Sequence, residues 1–494
     1  MNLLSDRWIP VSDGASMTQI SVEELLCSDR CYSICHPRDD MELAALQLLV
    51  CLTQAVLAPE NDEELRGRLE TPLDPVEYRE AAAIKMDWFD LEHEKTPFMQ
   101  DPRVLEYMTS KGKDLAKEKT GIAKLLPGLP EGKGSGCLFN GAGDIRCMCP
   151  SCAAMALFNQ ATEAPSFGGG FKDPLRKAGP VTALIYDENL RLMVWKNALP
   201  CDFVEGRLPS VDEKNDVPNW ILQMGEGDVV RTEEIGLLRG LFWQPASLFL
   251  EWSDGEGTCD CCGLRMSRST LSFWKRKFKY DLDGVMWPHP HGARLMDKGK
   301  WNGVTFRGVA PLWTRFSEFL RWQDGHQPEL VLEHYKNFVS HERLNLSVGG
   351  YTNRQASILE RHHQVISLGS GWPEHIEDID GRVELAVGYE KELSGKSFGL
   401  GKRVSGDGGG LKERARKMFF QKTESLMHEA LQYTEWNREK AFRLELADRL
   451  KVLCSKILEE VARPYMDQPH GLLAYVTAKK NLEAAMDRLH KSIE

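Results

Sequence analysis

The chain has 494 residues, 42% of them hydrophobic and 27% charged, with a formal net charge of −11. This composition excludes a mini-protein and a disordered, collagen-like or membrane chain, and leaves room for about three domains at roughly 150 residues each. The acidic total hides a segregation, because residues 201–260 carry −9 and residues 261–320 carry +7. A nucleic-acid partner is therefore not excluded, since screening confines exposed charges to about 8 Å and only a local basic face is needed.

Met1 to Arg7 lacks a basic region followed by an apolar one, so no secretory signal is expected and the reducing cytoplasm is the expected compartment. An odd total of 13 cysteines there argues for buried thiols with a metal site rather than disulfides. Short strands are predicted at Arg7–Val11 and Tyr32–Cys35. Asp39-Asp40-Met41-Glu42 then supplies an N-cap acceptor and an acid three residues on, so this acid pair reads as a helix cap. The apolar run Leu43–Ala58, broken by Gln47, Thr53 and Gln54, reads as a buried helix and not a membrane span. From Asp101 to Gly136, six lysines (111, 113, 117, 119, 124 and 133) interleave with Gly and Pro, which predicts an extended or mobile loop. Strand-like runs follow at Val181–Tyr186, Leu192–Trp195 and Ser247–Trp252, without a regular βα repeat. The fold class expected is α+β, a large mixed N-terminal domain over 1–375 and a C-terminal four-helix bundle over 376–494. The bundle rests on helical periodicity in Leu411–Thr434, Asn437–Arg463 and Gly471–Ile493, preceded by a helix from about Gly381 to Leu393, with Gly406–Gly410 as a connection. Within Asn437–Arg463, Phe442, Leu446, Leu450, Leu453, Ile457 and Val461 form one stripe.

Cys149-Pro150-Ser151-Cys152 and Cys259-Asp260-Cys261-Cys262 are two Cys-x-x-Cys turns that can close a structural, tetrahedral zinc site. Cys147 and Cys261 compete as ligands, and free thiols or a redox pair are the other readings. Phe167-Gly168-Gly169-Gly170-Phe171-Lys172 lacks a Walker ending; it is either a tight turn or a loop that lets a nucleic-acid groove approach the backbone. Lys275-Arg276-Lys277-Phe278-Lys279 joins cations to aromatics and reads as a nucleic-acid surface or a solvated edge. Trp287-Pro288-His289-Pro290-His291 reads as a rigid turn with exposed histidines in preference to a metal site. Gly349–Arg361 puts a polar tip between a glycine pair and a predicted helix, and His362-His363 has no partner at metal-binding helical spacing. No nucleophile elbow, zinc-protease motif or deaminase pair is assembled, so no enzymatic activity is expected.

Asn2-Leu3-Leu4 with Trp8-Ile9-Pro10-Val11, Pro37 to Leu46, Ala156 to Gln160, Phe167 to Lys172, Arg239 to Ala246, Trp287 to His291 and Gln355 to Arg361 occur in this order. In these residues the chain resembles the CasA family, the large subunit of the type I-E CRISPR surveillance complex Cascade, over nearly its whole length. The resemblance implies a non-catalytic subunit that recognises the protospacer-adjacent motif (PAM) in double-stranded target DNA, promotes strand separation and R-loop formation, and recruits a helicase-nuclease. The partners it implies are guide RNA and the small and backbone subunits of the complex, with no membrane. By position, Gly168 and Gly169 fall in the family's glycine loop, Lys277 matches its groove-reaching lysine, and Gln355, flanked by Arg354 and Ala356, matches its glutamine wedge. Ser166 stands where some relatives have glycine, and Arg354 where some have asparagine. Phe139 matches the aromatic of the guide-RNA contact loop, and the family's zinc ligands fall on Cys149, Cys152, Cys259 and Cys262. Two other classes fit the same residues. One is a zinc-dependent enzyme acting on nucleic acid, with Cys149, Cys152 and Cys262 as ligands and Glu360 or His362 as acid-base; the other is a purely structural scaffold.

Overall fold

The computed structural model describes residues 1–129, 143–277, 279–306, 310–320, 325–339, 342–354 and 356–493. Phe139 and Gln355 lie outside the described residues, as do Lys133 and Phe278. The chain forms two compact units. The first comprises Met1–Phe306, Trp322–Phe338 and Leu346–Val365, and the second Arg307–Arg321, Val339–Asn345 and Ile366–Glu494.

In the first unit, β1 (Ile9–Ser12) pairs antiparallel with both β2 (Met17–Ile20) and β3 (Ser33–Ile34). Helix α1 (Asp39–Leu57) follows and is buried over nearly all its length, including Gln47, Thr53 and Gln54. Among the described residues it is the one helix long and apolar enough to span a bilayer, and 89% of that stretch is packed inside the protein. Its N-cap is Arg38, with no side-chain cap bond, so the expected Asp39 cap does not form. Glu42 instead accepts the His36 backbone N–H at 2.9 Å, and Asp40 is buried against Arg38. A carboxylate with a guanidinium beside it is more use there than as a cap, because burying it unpaired is costly.

The lysine-rich stretch is more ordered than its composition suggests. It contains α2 (Arg103–Ser110), a 3₁₀ turn at Ile122–Leu125 and a short strand, β4 (Thr120–Gly121). Val104, Met108, Ile122 and Leu125 are buried, which supplies the apolar anchor that the interleaved lysines obscure. Helix α3 (Pro150–Thr162) is capped by Cys149 with Pro150 in its first turn, and all its residues from Ser151 to Thr162 are buried. Strand β5 (Thr182–Ile185) precedes α4 (Leu190–Lys196). The strand predicted at Leu192–Trp195 is thus a helix, started by the Asn189 side chain accepting from Arg191 N at 3.0 Å. Two long strands, β6 (Ser247–Thr258) and β7 (Arg265–Arg276), pair antiparallel, and β4 joins the far edge of β7. Strands β8 (Leu344–Arg354) and β9 (Ser357–Leu368) are neighbours in a sheet that β5 completes. The helix expected after the polar tip is therefore a strand beside the one that precedes it.

The second unit is built on four helices: α5 (Ile376–Ser405), α6 (Gly409–Gln432), α7 (Glu439–Ala462) and α8 (Pro469–Lys491). Helix α5 runs twelve residues beyond the expected Leu393 and stops where Gly406 takes φ +77°, a left-handed cap that suits glycine. Tyr389, Leu393, Phe419, Met427, Leu482 and Met486 are buried in the core. Leu446, Leu450, Ile457 and Val461 of the predicted α7 stripe join them, while Phe442 and Leu453 are half-buried at its margin. Arg382 on α5 is fully buried, donates to both carboxylate oxygens of Glu439 and to the carbonyls of Ala430 and Tyr433, and lies 4.7 Å from the Trp436 ring.

Candidate nucleic-acid interface and metal centre

Gly168, Gly169 and Gly170 all have positive φ, +74°, +58° and +90°. Three consecutive left-handed residues are open to glycine alone without strain. The loop is anchored from behind by aromatic packing, with Phe167 edge-on to Phe171 at 5.4 Å and 6.0 Å from Phe273 of β7. Lys275 lies over the Phe167 ring at 4.9 Å, and burial pushes its ammonium down to about 8, with Lys124 adding to the effect. The pleat of β7 thus turns Lys275 inward. Arg276 pairs with Glu226 at 2.6 Å and lies 3.8 Å over the Tyr107 ring, which takes it out of any solvated edge. Lys277, just past the strand, is exposed and donates from Nζ to the Gly169 carbonyl at 2.9 Å.

The hairpin tip meets the same loop. A Cβ placed on Gly168 lies 3.3 Å from the Cβ of Ala356. Gly168, Gly169, Lys277 and Ala356 therefore come together at one exposed corner, although up to 188 residues separate them in sequence. Arg354 is exposed at the end of β8 beside that corner.

The four cysteines of the two Cys-x-x-Cys turns also converge. The Sγ atoms of Cys149, Cys152, Cys259 and Cys262 lie within 4.8 Å of one another. Cys149 N donates to Cys259 Sγ at 3.2 Å and Cys152 N to Cys149 Sγ at 3.5 Å, as amides at a helix start do for thiolates. Met148 exchanges backbone bonds with Thr270 of β7, 3.0 Å each way, which brings the first turn against the second. The Cys259 thiol is held well below its ordinary range by hydrogen bonds from Cys149, then Cys152 and Cys262. Three buried thiols and the half-buried Cys262 thiol in such contact cannot all ionise unless a cation neutralises them, so this donor set fits a tetrahedral four-sulfur metal site. Cys147 is turned away, its Sγ near the Thr258 carbonyl and the Asp260 carboxylate, both at 3.5 Å. Cys261 groups instead with Cys152 and His36.

Other expected features fall elsewhere. His289 and His291 are buried, not exposed, and burial pushes His291 down to about 3. His362 stacks on Phe306 at 4.1 Å and bonds to Thr352 at 2.8 Å, and neither it nor Glu360 belongs to a metal-binding group among the described residues. Sequence reasoning missed His36 and Tyr351. His36 Nε2 faces Cys152 Sγ at 3.6 Å, and Tyr351 donates to Asp40 at 3.1 Å. No spacing signal could have found these contacts, because each joins residues more than a hundred positions apart.

A family model for the CRISPR-associated protein Cse1 matches residues 2–459, and the chain belongs to this family. CasA of Thermus thermophilus is 18% identical over 99% of each chain, with a TM-score of 0.77. Cse1 of Thermobifida fusca is 15% identical over 99% of this chain and 98% of its own, with a TM-score of 0.76. A chain of a CRISPR RNA-guided surveillance complex is similar at 14% identity and a TM-score of 0.70, covering 98% of this chain and 99% of its own. At these identities the likeness is one of fold.

Proposed function

We propose that the chain is the non-catalytic large subunit of an RNA-guided DNA surveillance complex acting in the cytoplasm. It reads a short motif in duplex target DNA with Gly168, Gly169, Lys277 and the hairpin tip Arg354-Gln355-Ala356. The observation that carries this reading is the meeting of glycine loop, lysine and hairpin tip at one exposed corner. Bare glycines let a groove wall approach the backbone, and the Lys277 ammonium donates to acceptors on base edges or phosphates. A polar side chain at the adjoining tip parts the first base pair beside the motif, and guide-RNA pairing then carries the sequence readout. Phe139 contacts the guide RNA, the second unit meets the small subunits, the chain joins the backbone subunits in the complex, and R-loop formation recruits a helicase-nuclease that does the cutting.

Cys149, Cys152, Cys259 and Cys262 hold a structural zinc ion whose supply of positive charge lets four thiolates share one pocket. The fourth thiol occupies the position that a catalytic zinc site leaves to water, which counts against the reading as a zinc-dependent enzyme. The test is binding of assembled complex to matched duplexes of varied motif at fixed salt, with Lys277→Ala and Gln355→Ala beside wild type. Motif-dependent binding that is lost in both variants while assembly persists is expected. Unchanged binding in both overturns the assignment and leaves a scaffold.

A further inference from the structure

His36, Cys152 and Cys261 form a second group of metal-binding side chains that shares Cys152 with the four-cysteine set. Taken by composition alone, it offers a second ion position bridged by the Cys152 thiolate. The proton on the imidazole decides against that. Arg38 N donates to His36 Nδ1 at 3.0 Å, closer than the Arg38 carbonyl at 3.3 Å from the same nitrogen, and acceptance at Nδ1 leaves Nε2 to carry the ring hydrogen. That nitrogen faces Cys152 Sγ at 3.6 Å and Cys261 Sγ at 3.9 Å. An N–H in this position has no lone pair to give a metal, and its geometry is that of a donor to sulfur.

The backbone around the ring is tethered as well. The His36 backbone N–H donates to Glu42 at 2.9 Å, and the Glu42 carboxylate lies 3.8 Å from His363 on β9. The Arg38 guanidinium holds Asp40 through two bonds, and Asp40 in turn accepts from Tyr351 on β8 and faces Arg361 on β9 at 3.4 Å. Such a tether is what outer-sphere partners of metal ligands need, since they work by fixing a ligand's direction and donor strength.

We infer that His36 is a positioning residue of the metal centre, donating from Nε2 to the Cys152 thiolate and to Cys261 without ligating the ion. This rests on the metal reading of the four cysteines. The hydrogen bond withdraws electron density from Cys152 and holds its rotamer towards Cys149, Cys259 and Cys262, while Cys261 stays outside the coordination sphere.

The experiment is Co(II) titration of the full-length chain, followed by its d–d and thiolate-to-metal charge-transfer bands, with zinc affinity measured by competition against a chromophoric chelator. Wild type is expected to bind one Co(II) with a four-thiolate spectrum. His36→Ala is expected to keep that d–d envelope, to bind roughly 10- to 100-fold more weakly, and to move the charge-transfer band to lower energy. His36→Gln, whose amide N–H reaches the same place, is expected to restore much of both, and it keeps the test decisive should the alanine variant misfold. Cys261→Ser is expected to leave stoichiometry and d–d envelope unchanged. Equal affinity and band position in wild type and His36→Ala would overturn the inference, as would a second Co(II) lost on that substitution. Failure of wild type to bind Co(II) or zinc would overturn the underlying metal reading instead, before any His36 variant is considered.

Discussion

Gly168→Ala tests whether the contact between glycine loop and hairpin tip sets the DNA-reading corner. Gly168 has φ +74°, and an alanine there pays about 1 kcal/mol for the left-handed backbone. Its methyl also lies 3.3 Å from Ala356 Cβ, so the tip gives by a few tenths of an ångström. Together these come to ~1–2 kcal/mol charged to the loop conformation, a factor of about 5–30 in any equilibrium that needs it. The loop is only partly buried, so it relaxes in the free protein and the cost falls on binding, with the melting temperature little changed. The assay is the equilibrium dissociation constant of assembled complex for a matched duplex at fixed salt. Gly168→Ala is expected to weaken binding about 5- to 30-fold, and adding Ala356→Gly is expected to recover the part due to the methyl contact. Wild-type affinity in the single variant, or a double variant no better than the single, would refute the reasoning.

Three further outcomes follow from geometry elsewhere. Arg382→Ala leaves Glu439 buried without its partner and is expected to cost about 3–5 kcal/mol by chemical denaturation, whereas Arg382→Met with Glu439→Leu is expected to recover most of it. Burial raises the Glu329 carboxyl to about 8, against the opposing pull of the Glu329 and Ala293 backbone groups, and that of Glu163 to about 7, against Arg176 and Thr182, from an ordinary value of 4.5. A raised carboxyl pKa means that the folded chain holds protons the unfolded chain has lost, so this stability is fully present below pH 4.5 and is lost as pH rises through 7 and 8. Each group contributes a slope of up to about 1.4 kcal/mol per pH unit; the denaturation midpoint is expected to fall from pH 5 to 8.5, with a shallower fall in Glu329→Gln. Cys259→Ser, or chelation of metal from wild type, is expected to lower the melting temperature and to raise amide exchange around Met148 and Thr270, whose mutual backbone bonds sit beside the site.

The features legible in the sequence are those written in local spacing. The Cys-x-x-Cys turns announce ligands because a turn of that length presents two sulfurs to one point. The α7 stripe announces a bundle because its period is that of a helix. What misled is where a short local pattern met a distant partner. Leu192–Trp195 has strand-like composition, but Asn189 caps a helix and Leu190, Met193 and Val194 are buried along it. The segment after Arg354 reads as a helix, yet β8 beside it makes it a strand. The histidines of the Trp287–His291 run look solvent-facing between prolines, but Gln47, 244 residues away, meets His291 at 3.2 Å in the interior. Asp40 is the same case, since the Tyr351 and Arg361 that claim it lie more than 300 positions downstream.

The bond between Lys277 and the Gly169 carbonyl gives the proposed DNA contact the character of an exchange reaction. One of the three ammonium hydrogens is already committed before any duplex arrives, so an acceptor that draws the lysine away from the loop wins it only by matching what the carbonyl offers. A duplex that presents no acceptor there gains nothing from the lysine and leaves the loop latched to it. A duplex that does present one releases the carbonyl along with the ammonium, and the loop is then free to follow the groove wall. Discrimination in such an arrangement comes from a trade between near-equals, in which small errors of fit decide the outcome and the resting state itself serves as the competitor.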